Sequence, residues 1–451
     1  MLLLKNCFIL DKGALKKASI IISGETIKDI IFGEVNGDFE TIDVGGLTVF
    51  PGFIDPHVHF DDPGFTDRED FETGSKSAIA GGYTTVIDMP CTSIPPVINK
   101  ENFDYKLNIV QKKAFCDFAF WGGVTPPQLK SGEYVNSIKE LEKRGVVGFK
   151  FYTISGMKDY PRMEVEELDM AFRVVKETNL ICAVHSEDFR LVNFYSKFLE
   201  DSKRKDPLAW CEGRAYEAEP MAIWEVVGIT RNVGNKLHIV HLTTKAGLEI
   251  IKWGKLKGID ITAETCPHYL SFTVEDLLRI GPVLKTAPPV RNEEDRCALW
   301  EGLRDGSIDF VATDHAAGKY PEEKSHKSIW DNYAGIPGIQ LAFSVICTYG
   351  FHENRITLQN MQDILSENAS MRFGLMRKGK IEKGYDADFS IVDLNKSFEV
   401  SPLDLYSKGR YTPFEGRILK GKVIKTILRG KVVYEEERGF TGKPTGRYIS
   451  H

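Results

Sequence analysis

Cysteine is scarce and scattered. The chain has 451 residues but 8 cysteines, at positions 7, 91, 116, 182, 211, 266, 297 and 347, and no two form a Cys-x-x-Cys pair. No disulfide framework is indicated, so the thiols are expected to be buried and reduced, as in a cytoplasmic protein. Long apolar runs are missing as well. No window approaches the roughly 20 uninterrupted apolar residues that a membrane-spanning helix needs. The apolar opening, residues 1–10, is interrupted by Lys5 and Asn6 and lacks a basic leader and a small-residue cleavage site, so it reads as a strand. Excess positive charge is also absent: 58 basic against 64 acidic residues leave a net charge of -6, which argues against a nucleic-acid partner. Three common catalytic signatures do not occur, namely the GxxxxGK[ST] phosphate loop, the GxSxG nucleophile elbow and a GxGxxG after a strand.

What is there is the balance of a globular protein with ample core material, 42% hydrophobic and 27% charged. Short β-like segments at 7–10, 18–22, 26–31 and 41–44 are separated by Gly, Asp and Lys turns, and the same texture returns at 387–394, 424–428 and 431–434. These predict one small β-sandwich domain assembled from both ends, residues 1–51 and 374–451. Between them, residues 52–373 alternate apolar strand-like runs with helical stretches, the pattern of parallel βα units. Eight strands are expected, at 48–57, 84–88, 116–120, 146–151, 180–185, 237–241, 259–263 and 308–314. Eight in sequence predict an α/β fold closed as a (β/α)₈ TIM barrel. The longest interruption, 194–232, carries its own helical pattern and is expected as an insertion near the barrel mouth.

Several of these strands end in residues able to hold a metal: His57 and His59 after the first, Lys150 in the fourth, His185 after the fifth, His241 after the sixth and Asp314 after the eighth. In a barrel those ends meet at one face. His57 and His59, two apart on an extended chain, point to the same side. His238 and His241, three apart, are expected to face opposite ways, leaving only His241 to look inward. One histidine alone means little; convergence from six scattered positions carries the signal. His268, His315, His326, His352 and His451 are expected to be ordinary, with His315 a candidate support for Asp314. Lys150 by spacing alone is a strand-end lysine, because an ammonium has no lone pair for a metal.

The ordered motifs add a resemblance. They are the run Pro51 to His59, Phe71-Glu72-Thr73-Gly74, Gly148-Phe149-Lys150, Val184-His185-Ser186-Glu187, His238-Ile239-Val240-His241, Glu264-Thr265-Cys266-Pro267-His268-Tyr269, Ala287-Pro288-Pro289-Val290-Arg291 and Thr313-Asp314-His315. Over essentially its whole length the chain resembles the cyclic amidohydrolases, which include dihydroorotases, hydantoinases and allantoinases. The resemblance implies that His57, His59, Lys150, His185, His241 and Asp314 ligate two divalent ions, zinc by the family's habit, bridged by a carboxylated Lys150. It implies that Asp314 also moves the proton from water to the leaving nitrogen as a ring amide opens. A small cyclic amide is the implied partner, and a homo-oligomer, a tetramer by resemblance, the implied assembly. A non-enzymatic scaffold is disfavoured, because every ligand position is filled.

Segments 120–124, 93–96, 217–219 and 425–430 resemble the allantoinase group, which ranks allantoin to allantoate first, hydantoins or dihydropyrimidines second and dihydroorotate third. The chain departs from that group at Asp61-Asp62, Cys91-Thr92 and Ala316-Ala317. Asp61, Cys91 and Gly318 stand where dihydroorotases hold the substrate carboxylate, and Ser155 stands where hydantoinases usually carry a tyrosine. Substrate contacts are expected from Asp61 and from the backbone near Ala287 and Gly335.

Overall fold

The computed structural model describes residues 1–33, 35 and 37–450, so His451 lies outside the described residues. Both ends of the chain build one sheet. Leu2–Asp11, Ala14–Ser23, Thr26–Ile31, Glu40–Asp43 and Thr48–Pro51 come from the N-terminal side, and Phe389–Glu399, Ile418–Leu428, Lys431–Glu435 and Gly439–Phe440 from the C-terminal side. Antiparallel pairing of Thr48–Pro51 with Phe389–Glu399 joins the two halves. Leu4, Ile20, Ile22, Ile27, Val49, Phe389 and Ile427 pack into a separate apolar cluster, which fits the expected sandwich.

The expected first barrel strand, 48–57, is two strands with different partners. Thr48–Pro51 stays in the terminal sheet, whereas Phe53–His59 opens the barrel. Gly52 is the corner: its N–H bonds to the Asp388 carbonyl at 2.9 Å, and a Cβ there would run into the Thr84 side chain.

From Phe53–His59 the strands run in parallel through Tyr83–Asp88, Asp117–Phe120, Gly148–Tyr152, Ile181–His185, Lys236–Ile239, Ile261–Thr265 and Phe310–Val311. Two short extensions complete the ring. Gly122–Gly123 pairs with Gly148–Tyr152, and His315–Ala316 pairs with Phe53–His59. Alternate residues point inward, and Ile54, Ile87, Trp121, Val147, Ala183 and Phe310 fill the interior as a packed core. The outer faces meet the helices.

Local chemistry sets the helix starts. Asp70 and Thr73 cap Phe71–Ala80 reciprocally, and Asp188 accepts the Leu191 N–H at the head of Phe189–Asp201. Each such cap is worth roughly 1 kcal/mol. The predicted insertion folds as Phe189–Asp201, Pro207–Gly213 and Ala218–Val233, with Asp206 capping the middle helix ahead of Pro207. All eight cysteines are free; seven are buried as expected, but Cys297 is exposed on the helix Glu293–Asp305. Among the described residues no helix is long and apolar enough to cross a membrane.

Candidate metal centre

Asp55 locks the first strand to the eighth. Its carboxylate accepts the Thr313 N–H at 3.1 Å, the Thr313 hydroxyl at 2.5 Å and the His57 N–H at 3.2 Å. That brings Asp314 against the two histidines of the first strand. His57 Nε2 and His59 Nε2 each lie 3.2 Å from Asp314 Oδ1. The far sides of the rings are held from behind: His57 Nδ1 by Glu264 Oε1 at 2.5 Å and His59 Nδ1 by Thr92 Oγ1 at 3.2 Å. Such backing fixes ring orientation and leaves Nε2 for the centre. One ligand atom from each of His57, His59 and Asp314 falls within 4.8 Å of the others, so the three can share one cation.

His185 and His241 complete the floor, with ring centroids 4.5 Å apart and His241 5.5 Å from His57. His185 Nε2 lies 2.9 Å from Glu187 Oε2, and Glu187 is itself gripped by Arg214, whose Nε donates at 3.1 Å. Burial, followed by repulsion from Lys150, holds His57 well below the ordinary imidazole pKa, which keeps a lone pair free. Asp314 at φ 48° and His241 at φ 39° both sit in the left-handed region, an uncommon conformation for such residues that concentrates at functional sites.

Lys150 is the anomaly of the centre. It is completely buried, and its Nζ has no hydrogen-bond partner. Burial pushes its pKa down to about 8, partly countered by Cys91, Glu264 and Asp314. The residue therefore loses its proton far more readily than an ordinary lysine.

Two histidines, His238 and His315, depart from their expected placement. His238 does look into the barrel, alongside His241. The strand stops at Ile239, so two-residue alternation no longer governs His241, and its positive φ turns the ring back to the centre. His238 sits below, fully buried, with Nε2 3.0 Å from Glu264 Oε2 and Nδ1 3.0 Å from Thr262 Oγ1. It thus supports the carboxylate that supports His57. The signal was available, because His238 and Val240 share the inward face. His315 does not serve Asp314: its Nε2 lies 3.1 Å from Glu69 Oε2 and its Nδ1 accepts the Ile339 N–H at 3.3 Å.

Above the floor lies a cavity of about 580 Å³ whose walls include Phe65, Arg68, Cys91, Tyr152, Trp210, Arg214 and Tyr333. Trp210 and Arg214 come from the insertion, which does reach the barrel mouth. Of the three expected substrate contacts, Ala287 lines this cavity, whereas Asp61 and Gly335 do not. Asp61 is buried behind the wall with neither carboxylate oxygen hydrogen-bonded, and burial pushes its pKa up to about 8. It does not pair with Arg68, which makes a two-pronged bond to Glu323 at 2.6 and 2.9 Å. Gly335 is a junction residue, its carbonyl accepting from Lys324 Nζ at 3.0 Å and from the Tyr411 hydroxyl at 2.9 Å. A larger, more apolar cavity of about 710 Å³, between Phe194, Phe198, Val274 and Val290, holds none of the centre's residues.

The amidohydrolase family profile matches residues 48–433. The chain belongs to the amidohydrolase family. Over 449 residues this amidohydrolase is 34% identical to an allantoinase of Deinococcus radiodurans, covering 99% of this chain and 98% of the relative. It is 36% identical over 414 residues to an allantoinase of Rubrobacter xylanophilus, covering 92% and 89%, and 33% identical over 467 aligned positions to that of Saccharomyces cerevisiae, covering 98% and 97%. Among solved structures, the L-hydantoinase (dihydropyrimidinase) of Arthrobacter aurescens superposes with a TM-score of 0.95 at 29% identity, covering 100% of this chain and 99% of that one. The D-hydantoinase (dihydropyrimidinase) of a Thermus species superposes at 0.91 and 28% identity, covering 100% and 99%. The family accounts for the barrel and the terminal sheet.

Proposed function

We propose that this amidohydrolase is a metal-dependent hydrolase that opens the ring of a neutral cyclic ureide, converting allantoin to allantoate. The observation that carries the chemistry is the convergence of His57, His59, Lys150, His185, His241 and Asp314 around the floor of one cavity. The substrate is supported by full-length likeness to several allantoinases.

The donor set fits two divalent ions. His57, His59 and Asp314 would hold one, His185 and His241 the other, with a carboxylated Lys150 between them; imidazole and carboxylate donors suit zinc. The fit is tested by the unpartnered Lys150 Nζ. Its neutral amine adds to CO₂, forming an N–C bond and releasing a proton, and the resulting carbamate replaces a buried cation without a partner by an anionic oxygen donor. Bound ions of this kind lower the pKa of coordinated water and polarise a carbonyl.

The chain's own residues do the rest. Asp314 accepts a proton from the attacking water and delivers it to the ring nitrogen as the C–N bond breaks. Glu264 and Thr92 keep the two first-strand rings aimed at Asp314, and the Arg214–Glu187 pair does the same for His185. Trp210, Phe65 and Tyr333 wall the cavity and limit water.

Charge supports a neutral ring. Both arginines on the wall are already committed, Arg68 to Glu323 and Arg214 to Glu187, and Lys158 sits on the exposed rim. A substrate carboxylate would have to compete for a paired guanidinium, so dihydroorotate is disfavoured. Asp61, which does not line the cavity, has no part in that preference. A hydantoin or dihydropyrimidine ring is the second reading, favoured by the superposition on L-hydantoinase. The division at 51/52 and 373/374, a homotetramer and a cytoplasmic setting belong to the same proposal.

The test is kcat/KM on allantoin, hydantoin, dihydrouracil and dihydroorotate after metal loading. Allantoin is expected to react fastest. A faster hydantoin or dihydrouracil selects the second reading, and dihydroorotate at parity with allantoin overturns the neutral-ring argument.

A further inference from the structure

Most hydrogen-bond donors around the cavity are already committed. Ser155 donates to the Tyr160 carbonyl at 2.7 Å, Tyr160 to the Lys150 carbonyl at 2.7 Å, Thr92 to the Cys91 carbonyl at 2.6 Å and Trp210 Nε1 to the Thr286 carbonyl at 2.7 Å. The hydroxyl of Tyr152 differs, because the one partner it has is a thiol, Cys91 Sγ, at 2.9 Å. Sulfur is a weak donor and a weak acceptor, so the phenol keeps its proton available for a better acceptor.

The ring around that hydroxyl is fixed. Tyr152 ends the strand Gly148–Tyr152, two residues after Lys150, so the strand's alternation turns both to the same face. Its ring stacks on His185 at 5.3 Å and 26°, meets Tyr160 edge-on at 5.6 Å, and has Lys150 Nζ 5.1 Å from its centre. Cys91 Sγ lies in turn 3.9 Å from His59 Nδ1. The tyrosine–thiol pair therefore spans the cluster from His185 to His59, with both members on the cavity wall. Tyr333 also lines the cavity, but its ring lies under the Arg68 guanidinium at 4.6 Å rather than against a histidine of the cluster.

We propose that Tyr152 is a catalytic hydrogen-bond donor whose hydroxyl, steadied by Cys91, binds the oxygen of the ring carbonyl under attack and stabilises the negative charge that develops there. This rests on the ring-opening reading above. The phenol keeps its proton throughout; its contribution is a fixed dipole aimed at the site of developing charge, which needs no reorganisation during the reaction.

Tyr152→Phe removes the hydroxyl and nothing else. It is expected to lower kcat by about 10²-fold, the usual cost of one such donor, with KM and metal content per chain within about twofold of wild type. Cys91→Ala frees the hydroxyl to wander and is expected to lower kcat by a few-fold to about tenfold, with Cys91→Ser restoring most of it because an oxygen partner returns. That pair carries the kinetic test if Tyr152→Phe fails to fold. A separate readout needs no turnover: allantoin labelled with ¹³C at its ring carbonyls, bound to metal-free protein, is expected to show a carbonyl stretch moved to lower frequency in wild type and moved back in Tyr152→Phe.

An active Tyr152→Phe with kcat within about twofold of wild type overturns the proposal, as does an identical carbonyl frequency in the two proteins. A Cys91→Ala loss that serine does not restore overturns the steadying role of the thiol. Failure of the metal-loaded wild type to open any of the four rings overturns the ring-opening reading instead, and the infrared comparison still decides whether Tyr152 holds the carbonyl.

Discussion

Lys150 and Lys378 are both buried, and their surroundings could hardly differ more. Lys378 sits at the opposite end of the strands, where its Nζ reaches Asp117 at 2.7 Å, Asp386 at 3.0 Å and Asp388 at 2.6 Å. Burial works against its charge, but the three carboxylates hold its pKa above the ordinary lysine value. Asp117 also binds Arg429 and the Arg447 N–H, so this cluster ties the barrel, the terminal sheet and the C-terminal segment together. Lys150 has equal burial and no partner at all, and its pKa falls. Burial alone therefore does not decide what a lysine does: with carboxylates around it the ammonium is a structural rivet, and without them the amine is a nucleophile waiting for an electrophile such as CO₂.

The sharpest break in that comparison is Lys150→Ala. Metal content and ring-opening activity are expected to fall to background, with partial recovery on adding short carboxylic acids that replace the missing bridge. Full metal occupancy and full activity, read by elemental analysis and kinetics, would remove Lys150 from the centre. Asp314→Asn comes next, because it keeps size but not basicity; turnover is expected to fall by roughly 10² or more with the fold intact by circular dichroism. Near-normal turnover in a metal-replete variant would end the proton-transfer role.

Lys378→Met tests the other half. Removing one partner of a buried ionic cluster leaves uncompensated carboxylates and costs about 3–5 kcal/mol of stability. Denaturant unfolding is expected to show that loss, while kcat of the folded fraction and its metal content stay at the wild-type level. A stable Lys378→Met with impaired turnover would contradict the division between rivet and reagent.

Much of this was legible from residue order. Strand-end positions for His57, His59 and His185 follow from the apolar runs, and a barrel brings such ends together whatever its loops do. Legibility stopped where local backbone broke the period. His241 enters the centre through a positive φ that no apolar pattern reports, and Gly52 splits a continuous apolar run because of a contact with Thr84, remote in sequence. Asp61 was misplaced for the same reason: at φ 56° its side chain leaves the cavity for the interior. Cys91 reads in the sequence only as a departure from a family pattern, and its 2.9 Å contact with Tyr152 is what identifies a pair. Lys378 was not singled out at all, since the partner that ties it to the barrel, Asp117, lies 261 residues away in the chain.

The smallest expected effect uses pH. Lys150 has a folded pKa of about 8 against an ordinary value of 10.5. In metal-free, unmodified protein the unfolded chain then binds more protons than the folded one between those two values, so stability rises with pH across that window. The slope from one group is at most about 1.4 kcal/mol per pH unit. Below the window both states carry the charge, and the burial penalty is fully present. Lys378 has the opposite sign: its folded pKa is raised, so its contribution is complete below the unfolded value and is lost only at higher pH. Thermal unfolding from pH 8 to 10.5 is therefore expected to show a rise that Lys150→Met removes and Lys378→Met leaves in place. The same titration sets reactivity. At constant dissolved CO₂, the rate of ¹³C-carbamate formation should climb about tenfold from pH 7 to 9, as the neutral fraction of a group with pKa near 8 goes from about one in ten to about nine in ten. A rate that instead keeps rising tenfold per unit through pH 10 would mean that Lys150 titrates as an ordinary exposed amine, and the contrast with Lys378 would collapse.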